Sequence, residues 1–109
     1  MSQPQLTTIL RHVAKVSKLS QDQVRNAKRT KGEARAAWLA LIFVANRAEY
    51  NDEQISTFLN AAKSTVSKDF LNATLSYARQ HEEPHLSDEM VQRFSSISWN
   101  VAKNLKIEL

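Results

Sequence analysis

Apolar residues recur along this chain at three- and four-residue steps, the period of an amphipathic α-helix. Leu6, Ile9, Leu10, Val13 and Val16 place one apolar stripe on a first helix. Ser20 followed three residues later by Gln23 has the form of a capping box, in which each side chain satisfies an orphan backbone donor at a helix start. The box predicts a short second helix with Val24 inward, ending near Lys28, because the next residues combine charge with Gly32. Residues 33–47 predict a third helix rich in Ala and Leu. Trp38, Leu39, Leu41, Ile42 and Ala45 cover more than one of its faces, so this helix should be the central and most buried one. Its β-branched stretch at residues 42–44 is short and continuous with the Ala-rich part, and stays helix rather than strand.

Asn51 or Asp52 is placed to cap a fourth helix over residues 52–59, with acids in its first turn opposing the helix dipole. Residues 60–62 form a three-residue turn in which Asn60 can take the left-handed conformation. A fifth helix runs from 63 to about 80, residues 81–85 form a loop, and a last helix starts at residues 87–89 and continues to about 105. Val91, Phe94, Ile97, Trp99, Val101 and Leu105 give it a broad apolar face. Six helices with short connections imply an all-α bundle in one domain, with residues 87–105 as an accessory helix.

Composition narrows the chemistry. One Gly in 109 residues leaves no Gly-rich phosphate loop and argues against the tight turns of an all-β fold. The chain has no Cys, which excludes disulfides and thiolate metal sites and suits a reducing cytosol. The longest apolar run, residues 38–45, is far too short to span a membrane, and the first residues lack the apolar core of a signal peptide. Charge is unevenly spread. Residues 1–47 carry nine Lys/Arg against two acids, a surplus of +7, whereas residues 48–109 sum to −3. A basic half on a small domain points to a polyanionic partner, or to a solvated basic face with none.

The segment at residues 55–70 concentrates the functional signal and reads as a helix-turn-helix. Ile55 and Leu59 point inward from the first helix, Ser56 is small where the two helices approach, Asn60 holds the turn, and Val66 and Phe70 anchor the second helix. The opposite face of that helix then carries Lys63, Ser64, Ser67 and Lys68. In this motif the start of the second helix enters the major groove of duplex DNA, where hydroxyls and lysines reach phosphates or base edges.

The chain also resembles the C-terminal DNA-binding domain of the bacterial replication initiator DnaA, within the Trp-repressor-like superfamily. The likeness spans about residues 9–80 and rests on three segments: residues 13–19 with Val24, residues 28–41, and residues 55–66, where Ser64, Thr65 and Val66 stand at the family's Thr-Thr-Val. It implies two contact surfaces. The recognition helix, with Thr65 added to its DNA-facing set, enters the major groove. A basic loop of Lys28, Arg29 and Lys31 follows the backbone or reaches the minor groove, Arg29 being the inserted side chain, and Arg35 contacts phosphate or braces that loop. Two departures stand out. Residues 60–63 are one residue shorter than the family's Gly-Gly-Arg-Asp-His run, and Ala62 and Lys63 replace its base-contacting Asp and His. No nucleotide-hydrolysing module accompanies the domain, so the expectation is a stand-alone regulator of transcription or replication, cytoplasmic and associated with the nucleoid.

Other signals point elsewhere. Residues 81–85 spell the H-E-x-x-H of a zinc protease, but Pro84 breaks the helix on which both histidines would have to sit, and no third ligand is evident. His12 lies beside the first apolar stripe as a half-buried or surface residue, and no Ser/His/acid set assembles, so neither an enzyme nor a cofactor or metal is expected. Trp38 and Trp99 read as core residues, Trp99 standing off the main stripe and open to a dimer or partner contact. Two other functions compete with duplex DNA binding. One is a protein-interaction module, a helical adaptor or an inhibitor of a host factor, using the acidic C-terminal part and the apolar face around Trp99 and Leu105. The other is an RNA binder using the basic loop, against which the scarcity of exposed aromatics argues.

Overall fold

At the start of three helices a side chain accepts from a backbone amide that has no partner within the helix. Ser20 Oγ accepts from the Gln23 amide at 3.0 Å while Gln23 Oε1 accepts from the Ser20 amide at 2.8 Å, the predicted capping box. Asn51 and Gln54 make the same reciprocal pair at 2.8 and 2.9 Å. Asp88 accepts from the Val91 amide at 2.8 Å. Three helices end on a left-handed residue, Lys18, Asn60 and Lys106, which turns the chain and lets its amide bond the last free carbonyls.

The computed structural model describes residues 3–27 and 32–109. In order these form α1 (Leu6–Ser17), α2 (Gln21–Arg25), α3 (Glu33–Arg47), α4 (Asp52–Leu59), α5 (Lys63–Glu82), a 3-10 turn (Pro84–Leu86) and α6 (Glu89–Leu105). The all-α expectation holds: six α-helices and no strand stand among the described residues. No helix there is long and apolar enough to cross a membrane.

Helix α3 is the hub. Every residue from Ala36 to Ala45 is buried, so the helix has no solvent face along that stretch. It packs most extensively on α6, then on α5 and α1. The Phe43 ring meets one ring from α6 and two from α5: Phe94 edge-on at 5.5 Å, Tyr77 at 5.0 Å and Phe70 at 6.4 Å between centroids. Phe94, Ile97 and Val101 of α6 belong to the same buried cluster as Ile9, Leu10 and Val13 of α1.

Four details differ from the sequence expectation. Helix α2 stops at Arg25, because Asn26 already leaves helical geometry and Ala27 is fully buried. Helix α5 runs on to Glu82, taking in His81, whose ring packs on Tyr77 at 4.3 Å. Glu83 leaves the helix ahead of Pro84, which opens a 3-10 turn, a place where its missing N–H costs nothing. Trp99 is 52 % exposed rather than core, because the inward face of α6 is Val91, Phe94, Ile97, Ser98 and Val101, and position 99 falls off it. Its ring carries the Lys103 ammonium at 4.9 Å instead.

The left-handed Asn60 (φ 52°, ψ 46°) is the joint between α4 and α5. Asn60→Val forces a β-branched side chain into that region and should destabilise the protein by about 1–2 kcal/mol in urea unfolding. Asn60→Gly should leave stability within about 0.5 kcal/mol of the parent.

Candidate nucleic-acid interface

Helices α4 and α5 form a corner held from inside. Ile55 and Leu59 of α4 and Val66 of α5 are buried, and Phe70 packs against the same core. Ser56 is buried in the corner, where its hydroxyl donates to the Glu53 carbonyl at 2.9 Å and its own carbonyl accepts from the Ala61 amide at 3.0 Å. A bulkier residue there would push the two helices apart.

With that inner face fixed, Lys63, Ser64 and Lys68 stand exposed on α5, and Thr65 and Ser67 are half-buried at its flanks. The Ser67 hydroxyl donates to Asp52 Oδ2 at 2.6 Å, tying α5 to the first turn of α4. Ser67 therefore presents an acceptor rather than a donor to the outside. Lys63 borders an open depression of about 390 Å³ shared with Asn46, Asn51, Asp52 and Glu53. The first helix residue on this face is preceded by Ala62, which offers no capping side chain.

Arg35 sits on α3, and its guanidinium forks onto Asp69 of α5, with Nη2–Oδ1 at 2.8 Å and Nη1–Oδ2 at 3.2 Å. The Trp38 indole N–H donates to Asp69 Oδ2 at 2.8 Å. Asp69 is 5 % exposed, so its carboxylate is stripped of water and made whole by these donors. Sequence reasoning singled out Arg35 but missed Asp69. Its signal was available: a carboxylate one residue from Phe70, three beyond Val66 and four before Ala73, on an otherwise inward stripe, requires a donor. Arg25 is a second omission. It donates to the Phe58 carbonyl at 2.9 Å and lies 4.5 Å over the Phe58 ring, clasping α2 to the last turn of α4.

Lys28, Arg29 and Lys31 lie outside the described residues. Gly32, which follows them, adopts φ 71° and ψ −141° and stands immediately before α3 as its N-cap. A Cβ there would meet no atom within 4 Å, so the demand for glycine comes from the backbone angles alone. The next residue, Glu33, takes two hydrogen bonds from Arg93 of α6, one of them 2.9 Å from Nε. Those bonds hold the Glu33 carboxyl below its ordinary pKa, against an opposing push from partial burial.

On α1, Arg11 and Lys15 are exposed and flank His12, whose pKa is lowered first by burial and then by those two cations. Among the described residues, His81 and His85 included, no group of three or more His, Cys, Asp or Glu is placed to hold a metal ion. Comparison with family models, curated proteins and solved structures returns no match for this chain.

Asp69→Ala leaves the Arg35 guanidinium and the Trp38 N–H without their carboxylate, and should cost about 2–4 kcal/mol in urea unfolding. Trp38→Phe, which removes one donor and keeps most of the ring, should cost less, about 1–2 kcal/mol. For Glu33 the folded pKa is depressed, so its contribution is present above the ordinary carboxyl range and is lost as pH falls through the folded value. Both side chains are a third or more exposed, which keeps that contribution below about 1 kcal/mol. Glu33→Gln should therefore narrow slightly the stability difference between pH 7 and pH 3, read from urea midpoints.

Proposed function

We propose that the protein binds duplex DNA with sequence preference, as a regulator of transcription or replication, using α4 and α5 as a helix-turn-helix. The observation that carries this reading is the outward face at the start of α5. Lys63, Ser64 and Lys68 are exposed there on a helix whose opposite side is locked to the core. Such a face fits the major groove, where lysine meets guanine acceptors or phosphate and serine meets either. The start of α5 adds backbone amides not covered by a capping side chain, suited to a phosphate oxygen.

The resemblance to the DnaA DNA-binding domain supports the same reading and adds Lys28, Arg29 and Lys31 as a second contact along the backbone or in the minor groove. Residues 60–63 depart from that family at its base-reading positions, so the target sequence is expected to differ from the family's own. DNA binding in turn implies a cytoplasmic, nucleoid-associated protein.

A second reading, a protein-binding module, draws on Trp99. Its exposed ring borders an open groove of about 350 Å³ with Tyr77, Ala102, Lys103, Ile107 and Leu109. Recovery of one stoichiometric protein partner, insensitive to nuclease, would favour it.

Selection from a random duplex library followed by mobility shifts tests the DNA reading. Affinity should fall steeply with salt as phosphate contacts release counterions. Lys63→Ala or Ser64→Ala should lose about 1–3 kcal/mol of discrimination at one base position. Arg29→Ala should weaken all sequences alike. Absence of any shift with duplex DNA at low salt sinks the proposal.

A further inference from the structure

Helix α5 carries a second pattern on its outer side. Ser64, Lys68, Leu71, Leu75, Ala78 and Glu82 follow one another at alternating steps of four and three residues. That spacing lines them along one face, the seam pattern of a two-stranded coiled coil. The face lies away from Val66, Phe70, Ala73 and Tyr77, which meet the core. Leu71 and Leu75, at its middle, are 57 % and 58 % exposed. Lys68 and Glu82, towards its two ends, are exposed and of opposite charge.

The seam is self-complementary in one orientation. When a second α5 runs antiparallel about the point midway between Leu71 and Leu75, Leu71 meets the partner's Leu75. Lys68 then meets the partner's Ala78, and Ser64 meets the partner's Glu82. Lys68 falls within one helical turn of the partner's Glu82, twice by symmetry. A parallel pair would instead set lysine on lysine and glutamate on glutamate. We propose that this face seats a second copy of the chain, α5 against α5, as an antiparallel two-fold dimer.

The dimer covers Ser64 and Lys68. Self-association and groove binding therefore exclude one another, and the paired form is a DNA-free reserve. This last consequence rests on the DNA-binding reading; the pairing itself does not.

Sedimentation of the full chain from low micromolar to near-millimolar concentration tests the pairing. A monomer–dimer equilibrium is expected. Leu71→Asp should weaken it by roughly tenfold or more, as should Lys68→Glu or Glu82→Lys alone. The double variant carrying Lys68→Glu and Glu82→Lys should recover the parental dimer, a rescue that loss of folding cannot imitate. A chain that stays monomeric throughout overturns the proposal. So does a dimer indifferent to Leu71→Asp, or one that the double variant fails to restore. Adding duplex DNA to the dimer should dissociate it. A dimer that survives with DNA bound overturns the exclusion, whereas a dimer that forms but binds no DNA leaves the pairing standing and defeats the proposed function instead.

Discussion

The Asp69 carboxylate governs how α5 sits on the rest of the molecule. It is buried, and it is satisfied only when α3 presents the Arg35 fork and the Trp38 indole together at one point. Apolar packing is non-directional and would tolerate a small rotation of α5 about its axis. Three directed hydrogen bonds to one carboxylate tolerate much less, because any rotation strands a desolvated charge. Ser67 adds a second tie, to Asp52 on α4. Between them these two polar anchors help to set which residues of α5 face outward, and so they shape the candidate interface.

Much of the fold was legible because its determinants are local. The bounds of α3 and α4, the Ser20 and Asn51 caps and the left-handed Asn60 all depend on residues within a few positions of one another. What escaped depends on distant partners. Asp69 looks like one more polar helix residue until α3 is beside it. Trp99 stands off the α6 stripe already in the sequence, and only its exposure decides between core and surface: the buried stripe passes through Ile97 and Ser98 instead. The sequence pattern ends α5 near residue 80 and leaves His81 and Glu82 to the loop, although Pro84 restricts only the residue before it and Tyr77 offers His81 a ring to pack on.

The uneven charge also changes meaning once side chains are located. Of the amino-terminal bases, Arg25 clasps α4, Arg35 holds Asp69, and Arg47 lies 5.2 Å over the Phe43 ring. These arginines serve the fold through ring contacts and forked bonding, and the planar guanidinium suits the forked geometry better than an ammonium does. Lysines, by contrast, make up two of the three exposed residues at the start of α5. A surplus of positive charge in a sequence thus mixes cations that hold the fold with cations that stand on its surface.

The ring cluster around Phe43 has a consequence for how such a domain can change over time. Phe70 and Tyr77 grip α5 on its inner side, two turns apart, while Lys63 and Ser64 lie before that grip in the first turn. Substitutions there leave the grip untouched. Exposed positions in the first turn can therefore drift through many sequences at little cost in folding, because what holds the helix lies further along it.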